Sequence, residues 1–491
     1  MSYEIKFGTD GWRAVISDGF TFSNVKRAAQ AACDVVRKVS KSRLILIGYD
    51  RRFFSPQFAD TAARVAVANG FKVEITDQPI SSPALSFQVH QKKAGMGFMI
   101  TASHNPYYFN GFKLKGVHGG SVNEAITKQV EDRVDAGDIQ WGEGTGKKTD
   151  FVPAYLASLK KLVRWPNLNV LKGPVVFDSM HGPGGLLFEK LCHGDKRVNF
   201  IRKEVDPLFG GVNPEPIETN LTALREAVLK YKASIGIAVD GDADRIGIID
   251  DKGRYLPPHT VMPLILLHLI ENRKLKGKVV QTVSMGYLPG RIAQKFNLPF
   301  EEVPVGFKHI AQRMEKEKVL LGGEESGGYG IGLWSPERDG LLCALLFIEL
   351  LAKTKKPLSV LVDSLYERFG TSHFVRVDFP LSLDFDKTAW SAHITTLIST
   401  SIAGVVVKQV NASDGIKVVT QDDSWLLMRP SGTEPLLRTY AEASSELLVK
   451  ALIAEAGRLA NTKPPNPKKA AEDAKKLKKA KALQKAKKLK K

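Results

Sequence analysis

A short segment that recurs along the chain most limits the folds open to it. Residues 171–176 read LKGPVV, residues 275–280 read LKGKVV, and residues 43–49 have a similar pattern near the amino terminus. Each segment opens an apolar run with the length of a buried strand. A repeat of this kind predicts several related structural units in one chain.

Helical and strand periodicities alternate in the amino-terminal region. Helices are predicted at 25–38 and 56–69, and strands at 44–48 and 72–75. Strands that alternate with helices imply βαβ crossovers and a largely parallel sheet. The expected fold class is therefore α/β.

Breaks in this pattern divide the chain into domains. With 491 residues it is long enough for roughly three or four of them. A glycine-rich stretch at 137–146, a stretch with glycine and proline at 251–258, and Gly370 separate the patterned blocks. The predicted units are 1–146, 147–256, 257–369 and 370–462, followed by a Lys/Ala-rich tail at 463–491 that is disordered or loosely helical.

The net charge of +19 is concentrated in the tail. Thirteen lysines and two carboxylates give residues 463–491 a net charge of +11, which leaves +8 for residues 1–462. The tail has no arginine and no aromatic residue that could stack on bases, so no specific nucleic-acid binding is expected. Salt-sensitive, nonspecific polyanion binding through the tail is the alternative from a different functional class.

The sequence predicts a cytoplasmic protein without a transmembrane segment. The amino terminus lacks the layout of a signal peptide, and no apolar run reaches the ~18 residues that a membrane span needs. The three cysteines, Cys33, Cys192 and Cys343, are far apart and lack a CxxC partner. They are expected to be reduced and buried.

Ser103 follows an apolar run at residues 96–100 and lies in the segment TASHNP at 101–106. A buried strand that ends at Asn-Pro delivers a small hydroxyl to a tight turn, where backbone amides can face a charged group. Such a serine can carry a phosphoryl group. Serine and asparagine also mark ordinary turns, so the segment alone leaves both interpretations open.

The segment DGDADR at residues 240–245 has three carboxylates at alternate positions between two strand patterns. The carboxylates would repel one another unless a cation lay among them. An EF-hand also begins with alternating acidic residues, but it needs Gly and Glu where this chain has Arg245 and Asp251. The segment therefore favours an Mg²⁺ site that bridges to a phosphate oxygen. A solvated acidic turn is the remaining alternative.

Two further segments combine glycine with polar side chains. GGEESGG at residues 322–328 allows close backbone approach, and its carboxylate and hydroxyl groups suit sugar hydroxyls. RPSGTEP at residues 429–435, with Arg438 nearby, has guanidinium and hydroxyl groups that suit a phosphate. Each segment taken alone could be an ordinary loop or turn.

The four segments together have one economical explanation. A carrier serine, a metal that offsets its charge, a polyol-binding loop and a second anion site suit an enzyme that holds a sugar with phosphate at both ends. A single phosphate-transfer site would not need two phosphate positions. The sequence therefore predicts a sugar-phosphate mutase.

The chain resembles the α-D-phosphohexomutases, the family of phosphoglucomutase and phosphomannomutase. Five motifs occur in order over residues 1 to about 460, at 7–13 (FGTDGWR), 101–113, 240–245, 323–327 and 429–435. The resemblance implies three related mixed α/β domains and a smaller C-terminal α+β domain around a central cleft. Successive domains are expected to carry the phosphoserine, metal, sugar-binding and phosphate-binding loops.

The resemblance also implies roles for individual residues. The expected metal ligands are Ser103, Asp240, Asp242 and Asp244. The expected catalytic residues are Ser103 as phosphoryl carrier, Lys113 as the base with a pKa lowered by neighbouring cations, Arg13 and His104. The expected substrate-binding residues are Arg245, Gly306, Lys308, Glu324, Ser326, Arg338, Arg429, Ser431, Gly432, Thr433 and Arg438.

The implied reaction interconverts hexose 1-phosphate and hexose 6-phosphate through a hexose 1,6-bisphosphate. The Glu-Glu-Ser form of the sugar loop resembles the phosphoglucomutase branch, so glucose is expected, with glucose 1,6-bisphosphate as activator and intermediate. Phosphomannomutase or dual activity is the alternative. The chain has Arg338 where glucose-specific relatives often have lysine, and a guanidinium does not easily donate a proton. Lys308 or His309 is therefore expected to share the second acid/base role.

Overall fold

The computed structural model describes residues 3–8, 10–382, 385–398, 400–431 and 435–462. These residues fall into two units that divide after Gly370. Gly432, Thr433 and the tail at 463–491 lie outside the described residues.

Strands and helices alternate through the first unit. Its strands are β1 (Trp12–Val15), β2 (Leu44–Tyr49), β3 (Lys72–Thr76), β4 (Met96–Ile100), β5 (Phe109–Lys115), β6 (Lys147–Thr149), β7 (Val175–Asp178), β8 (Val198–Ile201), β9 (Ile235–Val239), β10 (Ile246–Asp250), β11 (Tyr255–Leu256), β12 (Lys278–Thr282), β13 (Phe300–Val303), β14 (Val319–Gly323) and β15 (Tyr329–Ile331). Its α-helices are α1 (Phe22–Val39), α2 (Ser55–Ala68), α3 (Ser82–Gln91), α4 (Glu124–Glu131), α5 (Val152–Leu162), α6 (Gly184–Leu191), α7 (Thr222–Tyr231), α8 (Pro258–Leu267), α9 (Leu288–Lys295), α10 (Phe307–Lys316), α11 (Gly340–Thr354) and α12 (Leu358–Phe369). The helices and strands predicted for the amino-terminal region are confirmed as α1, α2, β2 and β3.

The three sheets of the first unit share an order of four strands, to which the first sheet adds β1 and β6 and the second adds β11. The first runs β1-β5-β4-β2-β3-β6, the second β11-β10-β9-β7-β8 and the third β13-β12-β14-β15. In each sheet the first strand of the repeat, which is β2, β7 or β12, pairs in parallel with the next two strands of the chain. The fourth strand, β5, β10 or β15, then returns antiparallel beside the third. The recurring sequence segment leads into or forms the first strand each time, so the repeat corresponds to a repeated topology.

One apolar core joins the three sheets. Leu46 on β2, Phe177 on β7 and Leu321 on β14 belong to the same cluster of buried side chains. Helix α11, whose sequence begins GLLCALLFIELL, is buried on nearly all of its faces. Parallel strands covered by helices on both faces are apolar at successive positions, as in β4 and β9. The three α/β repeats are therefore packed into one unit.

Strand β6 lies at the edge of the first sheet, where it pairs in parallel with β3. The predicted boundary between residues 146 and 147 falls directly before this strand, although the strand belongs to the first sheet. The short strand β11 ends at Leu256 and pairs within the second sheet. The boundaries at 146, 256, 369 and 462 stay predictions.

The second unit contains an antiparallel sheet with two helices. Its strands are β16 (His373–Pro380), β17 (Ser401–Ile402), β18 (Val405–Asn411), β19 (Ile416–Thr420), β20 (Trp425–Pro430) and β21 (Leu436–Ala443), and its helices are α13 (Lys387–Leu397) and α14 (Glu446–Ala460). The strand order is β16-β21-β20-β19-β18-β17. Trp390, Leu426 and Leu452 lie in its separate core. The predicted fold class, three related mixed α/β domains and a smaller α+β domain, is confirmed.

The fold also bears on the cysteines and on membrane spans. Cys33, Cys192 and Cys343 are free and buried, as predicted. Among the described residues, every helix is too short or too polar to cross a bilayer. The expected cytoplasmic location stays a prediction.

Candidate active site

Three loops at the same topological position carry the predicted carrier serine, the predicted metal ligands and part of the predicted sugar site. The serine loop (residues 101–108) joins β4 to β5, the aspartate loop (240–245) joins β9 to β10, and the glutamate loop (324–328) joins β14 to β15. Each connects the third strand of a repeat to its antiparallel fourth. The aspartate loop leads into β10, and the amide of Ile246, the first residue of that strand, donates to the Gly327 carbonyl of the glutamate loop at 3.0 Å. The repeat thus brings distant segments of the sequence together.

Ser103 has a left-handed backbone conformation, with φ of +53°, which is uncommon for a residue other than glycine. Its amide donates to Thr101 Oγ1 at 2.9 Å, and its side chain is fully buried. Ser103 Oγ donates to Asp240 Oδ2 at 2.7 Å. The turn after β4 therefore aims the serine hydroxyl at the aspartate loop.

Asp240 connects these two loops. Besides the Ser103 hydroxyl it accepts hydrogen bonds at Oδ1 from the amides of Asp244 and Arg245, at 2.9 and 3.1 Å. Burial, and then the negative charges of Asp242 and Asp244, raise the pKa of Asp240 well above its ordinary value. The carboxylates thus repel one another, as the sequence suggested, and a cation would relieve that repulsion.

Asp242 and Asp244 complete a buried carboxylate triad whose ligand atoms all lie within 4.8 Å of one another. Asp242 Oδ2 accepts from Ser82 Oγ at 2.5 Å and from Lys113 Nζ at 2.8 Å. Asp244 Oδ2 accepts from Arg338 Nη2 at 2.7 Å. The Oδ1 atoms of both aspartates are buried and have no hydrogen-bond partner among the described residues. Two such oxygens in a buried triad fit a hard, oxygen-liganded cation.

Lys113 lies in this cluster, but the expected lowering of its pKa is wrong. Its Nζ is 2.7 Å from Asp10 Oδ2, 2.8 Å from Asp242 Oδ2 and 3.4 Å from Asp244 Oδ2. Burial lowers the Lys113 pKa, but the three carboxylates outweigh burial and the effect of nearby Arg13, so the net pKa is raised. The family resemblance implied cations around Lys113, whereas the structure places three carboxylates beside it.

Arg13 and His104 lie beside the serine loop. Arg13 Nη1 donates to Asn105 Oδ1 at 2.6 Å. His104 Nδ1 is 3.5 Å from Ser103 Oγ. Burial, and then the positive charges of Arg245 and Arg13, hold the pKa of His104 well below its ordinary value. His104 is therefore neutral in this arrangement.

Arg338 joins the aspartate and glutamate loops. Its Nη2 donates at 2.7 Å to both Asp10 Oδ2 and Asp244 Oδ2, and its Nη1 donates to Glu324 Oε2 at 3.3 Å. Burial raises the pKa of Glu324 to about 7, although Arg338 acts in the opposite direction. Ser326 is half-buried in the same loop. Arg338 therefore acts as a bridge between carboxylates.

The remaining predicted residues of the first unit are spread around this cluster. Arg245 Nη1 lies 3.8 Å from Glu215 Oε1. Gly306, with φ of +124°, precedes helix α10, and Lys308 in the first turn of that helix forms an ion pair with Glu124 of α4. Among the described residues, no hydrogen bond joins Lys308 to the three aspartates. Its role in substrate binding stays a prediction.

In the second unit, Arg429 and Arg438 are direct cross-strand partners on β20 and β21. Arg429 Nε donates to Asp414 Oδ1 at 2.7 Å. The Ser431 carbonyl accepts from Lys387 Nζ. Gly432 and Thr433, also predicted to bind phosphate, lie outside the described residues. The unit therefore pairs two guanidinium-bearing residues at the start of the predicted phosphate-binding segment.

Two residues without a predicted role, Asp10 and Arg52, organise the cluster. Asp10 binds both Lys113 and Arg338; burial acts to raise the Asp10 pKa, but these two cations lower it well below its usual range. Arg52 donates to four backbone carbonyls of the serine loop and its flank. A charged residue shortly after a buried parallel strand, as Arg52 is after β2, is a signal that could have found it.

Comparison with known proteins identifies the family of the chain. Models of the phosphoglucomutase/phosphomannomutase family match in order: alpha/beta/alpha domain I at residues 4–140, domain II at 153–253, domain III at 257–369 and the C-terminal domain at 399–457. A phosphoglucomutase/phosphomannomutase from Thermococcus kodakarensis is 29% identical over 450 residues, which cover 90% of this chain and 95% of the relative. A phosphoglucosamine/phosphogalactosamine mutase from Sulfurisphaera tokodaii is 29% identical over 458 residues, which cover 91% and 97%.

A solved structure extends the similarity to the whole fold. The crystal structure of a proposed phosphomannomutase from Thermus thermophilus has a TM-score of 0.82 and 32% identity, and the match covers 94% of this chain and 100% of that one. The relatives' names include glucose, mannose and hexosamine phosphates, so the comparisons identify the reaction class and not the sugar. Because the four family models match in order and the solved structure shares the whole fold, the chain belongs to the phosphoglucomutase/phosphomannomutase family of phosphohexomutases, which are isomerases.

Proposed function

We propose that the protein interconverts glucose 1-phosphate and glucose 6-phosphate through a phosphoserine at Ser103 and a glucose 1,6-bisphosphate intermediate. The observation that carries the proposal is the 2.7 Å hydrogen bond from Ser103 Oγ to Asp240 Oδ2, at the edge of a buried carboxylate triad. A hydroxyl held in a strained turn beside a candidate metal site is suited to receive and return a phosphoryl group.

The aspartate triad supports Mg²⁺ as the metal. Asp242 and Asp244 each have one buried oxygen without a hydrogen-bond partner among the described residues, and carboxylate oxygens are the protein ligands that Mg²⁺ prefers. In our proposal the three aspartates and a phosphoryl oxygen on Ser103 hold the ion. When bound, Mg²⁺ supplies a Lewis acid that offsets the negative charge of the transferring phosphoryl group.

The transfer step is assigned to the residues around Ser103. The free hydroxyl oxygen of the sugar phosphate bonds to phosphorus, the bond from phosphorus to Ser103 Oγ breaks, and the hydroxyl proton passes to a base. The bisphosphate then presents its other phosphate, and the reverse step restores phosphoserine. Lys113 is our candidate base because of its place in the cluster. Two of the carboxylates that raise its pKa, Asp242 and Asp244, are proposed metal ligands, so their hold on the ammonium proton would weaken with a cation bound. That proton would pass to solvent before Lys113 accepts the hydroxyl proton.

The preferred sugar is inferred from the glutamate loop. Glu324 is buried and lies beside Arg338, and its pKa of about 7 allows the carboxyl group to accept or donate a hydrogen bond near neutral pH. The Glu-Glu-Ser form of this loop resembles the phosphoglucomutase branch. Phosphomannomutase or dual activity is the second candidate, because the T. kodakarensis relative is named for both activities.

An isomerisation assay tests the proposal. Glucose, mannose and glucosamine 1-phosphates are supplied with Mg²⁺ and the matching bisphosphate, and the 6-phosphates are measured. We expect the highest kcat/KM with glucose and a loss of at least about 10³-fold in Ser103→Ala. Ser424→Ala removes another buried serine that donates to an aspartate, at 3.0 Å, and should retain turnover. Undiminished activity in Ser103→Ala would contradict the mechanism, and a preference for mannose would select the second candidate.

The polyanion-binding alternative has no support from the proteins compared above. The tail at residues 463–491 lies outside the described residues. All four matched family models fall within residues 4–457. The proposed partner is therefore a small sugar phosphate.

A further inference from the structure

Arg52 makes an unusual set of contacts with the segment that carries Ser103. The residue is 2% exposed and follows strand β2. Its Nη1 donates to the carbonyls of Pro106 and Phe109 at 2.8 and 3.1 Å. Its Nη2 donates to the carbonyls of Ser103 and Asn105, both at 2.6 Å. One guanidinium therefore binds four backbone acceptors between positions 103 and 109.

Arg52 is itself held from two sides. Asp50 Oδ2 lies 3.3 Å from Arg52 Nε, and Asp50 Oδ1 accepts from the Arg52 amide at 3.0 Å. The ring of Phe209, from the second repeat, has its centroid 4.8 Å from Arg52 Cζ. A guanidinium that is ion-paired and stacked on an aromatic ring has little freedom to change rotamer. The guanidinium that contacts the serine loop is therefore itself restrained.

The conformation that Arg52 holds is costly for the chain. Ser103 has φ of +53°, and backbone of this kind persists where surrounding contacts over-determine it. The Ser103 carbonyl is enclosed on another side by the aspartate loop, since a Cβ atom on Gly241 would lie 2.4 Å from that oxygen. With the carbonyl bound on one side and confined on the other, the Ser103 side chain is directed to Asp240.

We infer that Arg52 is a positioning residue for phosphoryl transfer: it holds the serine loop in the conformation that directs Ser103 Oγ to the aspartates. The inference rests on the proposed role of Ser103 as phosphoryl carrier. Only a planar fork of N–H groups can bind four carbonyls at once, because a lysine ammonium has three donors on one atom. Arg52 thereby acts on the reaction through Ser103.

Arg52→Lys tests the inference, with Arg51→Lys as the matched control. Arg51 is also buried and donates to backbone carbonyls, those of His181 at 3.3 Å and Lys203 at 2.8 Å, but these lie outside the serine loop. We expect Arg52→Lys to lower kcat by about 10- to 100-fold with less than about a 3-fold change in KM, because the carrier and not the sugar site is displaced. Arg51→Lys should leave kcat within about 3-fold of wild type.

Thermal unfolding of both variants, and single-turnover transfer from labelled phosphoserine to sugar or water, separate positioning from stability. Slower transfer in folded Arg52→Lys, with transfer at the wild-type rate in Arg51→Lys, supports the inference. Equal losses of kcat in the two folded variants, or wild-type kcat in Arg52→Lys, overturn it. An inactive wild-type protein would instead overturn the proposed function, and this inference with it.

If Arg52→Lys does not fold, Phe209→Leu provides a second test. This change removes the ring beside Arg52 Cζ and keeps every hydrogen-bond donor of the guanidinium. We expect kcat to fall by roughly 3- to 10-fold with unchanged KM, because the guanidinium gains freedom. An unchanged kcat in folded Phe209→Leu would overturn the inference.

Discussion

The two units of the molecule hold the cations of the predicted site in different ways. In the first unit, Lys113 and Arg338 are buried and bind carboxylates that come from distant segments of the chain. In the second unit, Arg429 and Arg438 are half-buried and face each other across a strand pair. Like charges directly opposite one another destabilise such a pair. Asp414 offsets part of this repulsion through its ion pair with Arg429, and we propose that a substrate phosphate offsets it further. The two cations of the first unit are thus each bound by two or more carboxylates, whereas we propose that the two arginines of the second unit also bind the substrate phosphate.

The largest effect is expected when one carboxylate is removed from the buried ion-pair cluster of the first unit. Asp242→Asn keeps the size of the side chain but removes a proposed metal ligand and a partner of Lys113. We expect kcat/KM to fall by about 10³- to 10⁴-fold, which corresponds to about 4 to 5.5 kcal/mol. The measurement is turnover at increasing Mg²⁺ concentration, together with Mg²⁺ affinity by calorimetry.

A suitable control is Asp195→Asn in the same unit. Asp195 Oδ2 accepts a hydrogen bond from Trp165 Nε1 at 3.2 Å and lies outside the described cluster. It should retain both turnover and Mg²⁺ affinity. If Asp242→Asn retained Mg²⁺ affinity as well, the triad would not be the metal site.

A second test separates burial of a carboxylate from its compensation by a cation. Asp339 is buried, and its hydrogen-bond partners Tyr155 Oη and the Leu342 amide are neutral. Burial raises the pKa of Asp339 to about 7, although those hydrogen bonds act in the opposite direction. Because the folded-state pKa lies above that of an unfolded chain, the stabilising contribution is complete below about pH 4 and is lost as the pH rises to about 7.

Asp339→Asn should abolish this loss. We expect the variant to be more stable than wild type at pH 8 by about 2 to 4 kcal/mol, and close to wild type at pH 4, in urea unfolding. Asp422→Asn in the second unit should show the opposite sign: burial acts to raise the Asp422 pKa, but hydrogen bonds from Thr420 and Ser424 lower it. Equal pH profiles for wild type and Asp339→Asn would contradict the assignment.

The second unit should affect binding more than turnover. Arg438→Met removes one of the paired guanidinium groups, and a charge-assisted hydrogen bond to phosphate contributes enough that KM should rise by about 10- to 100-fold. We expect kcat to change by less than about 5-fold. Arg376→Met, on the same sheet and ion-paired with Asp378, is the control and should keep its KM. A large fall in kcat with constant KM would contradict the prediction that Arg438 contributes to substrate binding and not to turnover.

The smallest effect on catalysis is expected from removal of the tail. Deletion of residues 463–491 takes away thirteen lysines and a net charge of +11. We expect mutase turnover to stay within about 2-fold of wild type while retention on heparin is lost, because the lysines lie beyond the matched family domains and would make salt-sensitive contacts with a polyanion. Loss of turnover would place the tail in the catalytic unit.

Much of the fold was predictable because its signals are local or repeated. The periodicities that predict α1, β2, α2 and β3 depend on residues a few positions apart, and the tertiary structure keeps all four elements. The aspartate loop was recognisable because three carboxylates in six residues require a partner. By contrast, the pKa of Lys113 depends on Asp10, Asp242 and Asp244, which no local pattern relates to it.

By itself, the sequence determined three related α/β units, the motifs of a phosphohexomutase and the identity of the serine and the aspartates. Only the tertiary structure decided which groups interact. Asp10 forms ion pairs with Lys113 and Arg338, and Arg52 donates hydrogen bonds to the carbonyls of the serine loop. The physical reason is that periodicity and turn chemistry act over short stretches of chain. Electrostatic and hydrogen-bond partners are instead selected by distance in space, after equivalent loops of three repeats have come together.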